Sequence, residues 1–257
     1  MKKYAKFAAI FLALALILSL SACGDTNTAG KIDQSGQNAA RSTAQPTEAP
    51  AASEPTSSGD TSANQPTAET DEPAETGSDF DSGAINGGTY TNEFMGFACD
   101  LDETWTYYSQ DQIAELSGQA AGLSDDEDIK KIMENGSSYI DMYASASEGL
   151  LTINVAFENL GLLYGATLDA DGYADLAVDN LVKAIDSMGA ENVEAEKRVV
   201  SFAGGDETAI YLTAEYQGVP LYELLVCVKQ GNYMCCVTFT SYTADLTAEM
   251  SALFYAL

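Results

Sequence analysis

The sequence predicts an α+β domain over residues 88–257, an α/β/α sandwich around a mostly antiparallel sheet. Three observations carry this. Four apolar-rich stretches run consecutively at about 195–203, 207–216, 219–230 and 233–241, separated by the turn pairs Gly204-Gly205, Gln217-Gly218 and Gly231-Asn232, which suits a meander of two-residue hairpins. Both faces of that meander are apolar, whereas an antiparallel sheet with one wet face alternates more cleanly. Two helical patterns, at 173–188 and 244–255, are amphipathic and supply layers for the two faces.

The elements follow in order. Thr89 to Leu101 reads as two short strands with Glu93 to Gly96 between them, and Trp105 follows as a core anchor. Ser109 is placed to cap a short helix over Asp111 to Ser117. Ser124-Asp125-Asp126-Glu127 forms a capping box for a helix running to Glu134, closed by Asn135-Gly136. Tyr139 to Ala144 and Leu150 to Phe157 read as a hairpin, the second strand alternating Leu151, Ile153, Val155 and Phe157 with Thr152 and Asn154. Tyr173, Ala177, Leu181, Ala184 and Met188 form one helix face, and Gly189 stops that helix. The final helix aligns Leu246, Met250, Leu253 and Leu257.

The turns set a register. With Gly231-Asn232 as the loop, Gln230 opposes Tyr233. Tyr222, Leu224, Val226 and Val228 then share a face with Cys235, Val237 and Phe239. Leu221, Glu223, Leu225 and Cys227 share the other with Cys236, Thr238 and Thr240, joined by Ile210, Leu212 and Ala214. Cys227 directly opposes Cys236, close enough for a candidate disulfide, while Cys235 points to the opposite face. Glu223 is expected to reach solvent at the sheet margin.

The 257 residues carry 39 acids, 11 bases and no histidine, a net charge of -28. Arg41 and Arg198 are the only arginines, so nucleic acid is excluded as a partner. Without histidine, Ser-His-Asp and Cys-His catalysis and imidazole metal sites are excluded as well. Asp169-Ala170-Asp171-Gly172 does not fit a calcium loop, which needs acids at positions 1, 3, 5 and 12. The acids there read as helix N-terminal charge, and no metal or cofactor is expected.

Residues 1–22 begin with Lys2, Lys3 and Lys6, continue in an apolar run from Phe7 to Leu18, and end before Cys23. The run is too short to span a bilayer and suits a secretory signal peptide. Leu20-Ser21-Ala22-Cys23 resembles a bacterial lipobox. That resemblance implies cleavage before Cys23 and lipidation of its side chain. Several acyl chains on one residue give stable anchoring to a membrane, here on the extracytoplasmic face and, given the long tether, on a Gram-positive surface. Residues 23–87 form that tether, rich in Ala, Thr, Ser, Pro and acids, with Phe80 its one aromatic. Such a composition is expected to stay disordered and to span about 45 Å.

Tyr90, Asn92, Gly96-Phe97 and Trp105, together with the element order, resemble the PsbP-like fold, although Asp102-Glu103-Thr104 stands where that family often has a proline before the tryptophan. The resemblance implies a non-enzymatic, adaptor-like domain. Candidate contact residues are Tyr139 and Tyr143, read as sharing one strand face, and Leu162, Leu163 and Tyr164 in the apolar loop 160–165. The expected function is non-catalytic binding, to an unknown protein or a small ligand. A ligand-binding lipoprotein serving a transporter or signalling system is the alternative. A carboxylate-pair hydrolase is the third reading.

Overall fold

The structure, a computed structural model, describes residues 80–117, residue 129 and residues 138–257. The signal peptide, Cys23, the tether as far as residue 79 and nearly all of the helix expected over 124–134 lie outside the described residues. Ile129 of that segment is helical and buried.

The described chain is a mostly antiparallel, sheet-rich α+β fold. Strands β1 (Ala84–Asn86), β2 (Thr89–Asn92) and β3 (Phe97–Asp100) open it, followed by β4 (Trp105–Tyr107) and helix α1 (Gln110–Ser117). Next come β5 (Ser138–Ala146), a 3-10 turn, β6 (Leu151–Asn159), and helices α2 (Gly161–Thr167) and α3 (Ala170–Ser187). The meander is β7 (Glu191–Phe202), β8 (Gly205–Tyr216), β9 (Val219–Gln230) and β10 (Tyr233–Ser241). Helix α4 (Thr247–Ser251) and β11 (Phe254–Ala256) end it. The main sheet has seven strands in the order β4-β5-β6-β10-β9-β8-β7, and a small sheet has four in the order β1-β2-β3-β11.

The meander register is as the turns require: Gln230 pairs with Tyr233, Cys227 with Cys236 and Ile210 with Leu225. One turn is displaced by a residue. Phe202 pairs with Gly205, so the loop is Ala203-Gly204, both left-handed (φ 46° and 83°). A turn with positive φ at both centres matches the twist of its strands, and this placement keeps Phe202 in the core.

Both faces of the main sheet are covered, one by helices α1 and α3 and the other chiefly by the small sheet together with the short α4. Helix α3 lays Tyr173, Ala177, Leu181 and Ile185 over Ile210, Leu212, Leu221 and Leu225. Its N-cap Asp169 accepts from the Gly172 N–H at 2.8 Å, which accounts for that acid. Helix α1 adds Ile113 against Ile140 and Tyr143 on the same face, behind a capping box in which Ser109 and Gln112 bond reciprocally.

The opposite face is closed by the small sheet and α4. Tyr90, Phe97, Cys99 and Phe254 pack onto Ile153, Val155, Phe157, Val237 and Phe239. The expected C-terminal helix stops after five residues for this reason. Phe254 completes an aromatic cluster with Phe97, Phe202 and Phe239, its ring centroid 5.1–5.6 Å from each of theirs, and β11 pairs with the otherwise open edge of β3. Burying Phe254 there outweighs helix propensity over its last turn. Packing also reaches back to Phe80, 5.0 Å from the Phe157 ring.

Two further expectations change. Strand β5 carries a bulge between Ile140 and Met142, so Tyr139 pairs with Phe157 while Tyr143 pairs with Asn154. An extra residue swaps the faces on either side of it. Tyr139 and Tyr143 therefore point to opposite faces, both buried. Glu223 is not at a margin: β9 is flanked by β10 and β8, and the residue is only 2% exposed.

Candidate functional site

On the helix-bearing face, between the cluster under α1 and the cluster under α3, the floor of the sheet is polar. Two rows of directly paired residues cross the four strands β5, β6, β10 and β9. One row is Tyr143, Asn154, Thr238 and Leu225; the other is Ser145, Thr152, Thr240 and Glu223. The period of two puts them there, because their strand neighbours Ile153, Val155, Val237 and Phe239 fill the opposite face.

The polar residues of both rows are buried, and Tyr143 and Thr152 share a side-chain hydrogen bond. Thr240 donates to Glu223 Oε2 at 3.4 Å, and Ser145 donates to the Tyr108 hydroxyl at 3.3 Å. Asn154 Oδ1 and Thr238 Oγ1 are fully enclosed and have no hydrogen-bond partner. Burial of a polar group without a partner costs about 1–3 kcal/mol, so two adjacent ones are a considerable charge against stability. Burial pushes the Glu223 carboxyl up to about 7 against a weaker lowering by Thr240. Tyr242, next to β10, is raised by burial first and by Glu223 and Tyr143 after it, which places its hydroxyl within electrostatic reach of both. The set offers an amide oxygen, several hydroxyls and one acid that changes charge near neutrality. Its amide, hydroxyl and carboxylate oxygens are all hydrogen-bond acceptors.

A second buried acid, Asp141, serves the other side of the main sheet. Its Oδ2 accepts from Tyr90 Oη at 2.5 Å, the Gly83 N–H at 2.8 Å and Asn92 Nδ2 at 3.1 Å. It ties β2 and the chain before β1 to the bulge of β5. Burial raises its pKa in spite of these bonds. Glu223 and Asp141 thus lie on opposite sides of one sheet.

The remaining sequence candidates fall elsewhere. Leu162 and Leu163 project from α2 at 85% and 72% exposure, with Tyr164 and Leu176 of α3 partly exposed near them in sequence. Helix α2 can lie against the loop between β9 and β10 because Gly165 has no side chain: a Cβ there would collide with Asn232. Tyr139 and Tyr143 are buried and do not join that surface. Cys227 and Cys236 lie side by side as unbonded thiols. A cavity of about 300 Å³ opens at the rim of β7, β8 and β9, lined by Asn192, Glu194, Glu215 and Pro220 among others, and holds no partnerless buried group. Among the described residues, no group of three or more acidic or cysteine side chains is placed to hold a metal ion. Among the same residues, no helix is long and apolar enough to cross a membrane.

Sequence reasoning reached the register that brings Thr238, Thr240 and Glu223 onto one face, but not the site. The signal was present: Thr152 and Asn154 alternate with apolar residues, which reads equally well as a solvated face.

No family model matches the chain, and no curated protein matches it. Among solved structures it is similar to LpqN, involved in cell envelope biogenesis of Mycobacterium tuberculosis, at 8% identity over 61% of this chain and 76% of that one, with a TM-score of 0.31. A likeness at that level carries no argument about function.

Proposed function

We propose that this chain is an extracytoplasmic lipoprotein, anchored through a lipid on Cys23, whose PsbP-like domain binds a small polar ligand on the floor of β5, β6, β10 and β9 without catalysing a reaction. The observation that carries the ligand is the adjacent pair Asn154 Oδ1 and Thr238 Oγ1, enclosed and partnerless beside Glu223. A ligand bearing hydroxyl, amide or amine donors satisfies all three. The non-catalytic reading is supported by the spacing of the buried acids, since a hydrolase needs its carboxylates within about 5–9 Å of each other: Asp141 lies across the main sheet from Glu223, and Glu158, on the side of Glu223, is about 20 Å along β6 from Thr152 in the Glu223 row. The anchor rests on the order Lys2-Lys3, apolar run, Leu20-Ser21-Ala22-Cys23. A protein partner seated on Leu162 and Leu163 is the second reading, favoured by their exposure.

The test is thermal denaturation of the full chain in detergent against polyols, amino acids, amines and cell-wall fragments. A ligand at about 100 times its Kd adds about 2.7 kcal/mol. The expected outcome is a clear rise in Tm with at least one ligand class, lost in Asn154→Leu. A flat response across the panel rejects the small-ligand reading. Metabolic labelling with tagged palmitate, lost in Cys23→Ser, checks the anchor separately.

A further inference from the structure

We propose that Cys227 and Cys236 form a cross-strand disulfide beneath α3, with Tyr173 and Glu158 carrying away the proton that the reacting thiol releases. The pair faces correctly for this. Counting outward from Gln230↔Tyr233, which closes the two-residue turn, hydrogen-bonded and non-hydrogen-bonded pairs alternate, and Cys227↔Cys236 falls on a non-hydrogen-bonded one. Such pairs bring their Cα atoms to about 4.5 Å, inside the range a disulfide spans. Cys235, the next residue along, faces the opposite side of the sheet in the aromatic core and has no thiol opposite it, because its partner is Val228.

The surroundings add a path for the proton. The Cys236 thiol donates to Tyr173 Oη at 3.7 Å, and Tyr173 Oη donates to Glu158 Oε2 at 2.9 Å. The three groups come from two neighbouring strands and the first turns of α3. The chain runs from sulfur to a carboxylate at the strand end. Only a thiolate attacks, so the sulfur that reacts first needs a route for its proton; the other, Cys227, has none and is held well above the ordinary thiol pKa by its hydrogen bond to Cys236 and then by burial.

The step uses a disulfide donor, a low-molecular-weight disulfide or a protein thiol–disulfide oxidoreductase, once the first turns of α3 have set Tyr173 against Cys236 and before the rest of the helix closes over Cys227. Cys236 passes its proton to Tyr173 Oη as Tyr173 passes its own to Glu158. The thiolate attacks the donor, whose S–S bond breaks, giving a mixed disulfide and one donor thiol. Cys227 sulfur then displaces the second donor thiol and gives up its proton. Two protein thiols become one S–S bond, and the donor leaves as two thiols carrying both electrons and both protons. In the cell this rests on the extracytoplasmic reading above, since that compartment sustains disulfides.

The experiment refolds the full chain in a mixture of reduced and oxidised glutathione, quenches it with acid, alkylates it in denaturant and maps the peptides by mass. The expected result is a Cys227–Cys236 link, 2 Da lighter than the paired thiols, with Cys99 and Cys235 alkylated. Alkylation of Cys227 and Cys236 to the same extent as Cys99, or a link through Cys235, overturns the proposal. In Tyr173→Phe the link should form about a hundredfold more slowly, the low end for a positioned proton-transfer group, with the same end point. An unchanged rate overturns the relay. Loss of palmitate labelling with the link intact would count against the anchor and leave the disulfide supported.

Discussion

The same strands present two different chemistries to their two sides. Toward the small sheet, β6 and β10 show Ile153, Val155, Phe157, Val237 and Phe239, packed among Phe97, Phe202 and Phe254. The buried acid on that side, Asp141, has Oδ2 engaged by three donors and Oδ1 enclosed without a partner. Toward the helices, the alternate positions of those strands are Thr152, Asn154, Thr238 and Thr240, with Glu223 beside them and two oxygens left partnerless. Close packing and satisfied polar groups are what stability selects. The contrast sets a face of interlocking aromatic rings against one floored by polar side chains.

The largest effect is expected where the packing is densest. Phe239→Ala should cost about 3–5 kcal/mol in denaturant unfolding. A loss under about 1 kcal/mol would dissolve the distinction between the faces. Next comes the pH dependence of Glu223. In the unfolded chain its carboxyl loses its proton near 4.5, and in the folded chain near 7, so folding takes up a proton between those values. Its contribution is fully present below about pH 4.5, declines as pH rises, and is gone above about pH 7, a change of about 3 kcal/mol. Glu223→Gln should flatten that decline relative to wild type and be the more stable protein at pH 8. Parallel curves for the two proteins would mean that the acid is solvated.

Tyr90→Phe removes one donor from Asp141 and should cost about 2 kcal/mol, because this polar group is structural. The opposite sign is expected across the sheet. Asn154→Leu and Thr238→Val replace partnerless polar groups with apolar ones of similar shape, and each should stabilise the ligand-free protein by about 1 kcal/mol, seen as a rise in Tm of about 2–4 °C. Destabilisation by both would make the floor a structural network. The smallest change is expected at the surface: Leu162→Ser should alter stability by no more than about 0.5 kcal/mol, while reducing binding to any protein partner that crosslinks to α2.

Much of this was legible in the chain. Paired turn residues at 217–218 and 231–232 placed the meander and its register to the residue, including Cys227 opposite Cys236. The apolar face from Tyr173 to Ala184 placed α3. These are signals in which the deciding contacts lie within a few residues of each other. The charge balance, the absence of histidine and the order of residues before Cys23 are likewise properties of the chain alone.

What the sequence left open depended on partners far away along the chain. The bulge at Asp141 turns Tyr139 and Tyr143 to opposite faces because the residues on either side of it must pair with Phe157 and Asn154. Phe254 becomes strand because an aromatic pocket and the free edge of β3 await it. Glu223 is buried because β8 and β10 both flank β9 beneath the helix layer. An alternating strand specifies two faces but not what will cover each of them. That choice is made by whichever distant element gains most by burying its own apolar side there, and here a four-stranded sheet took one face while α1 and α3 took the other.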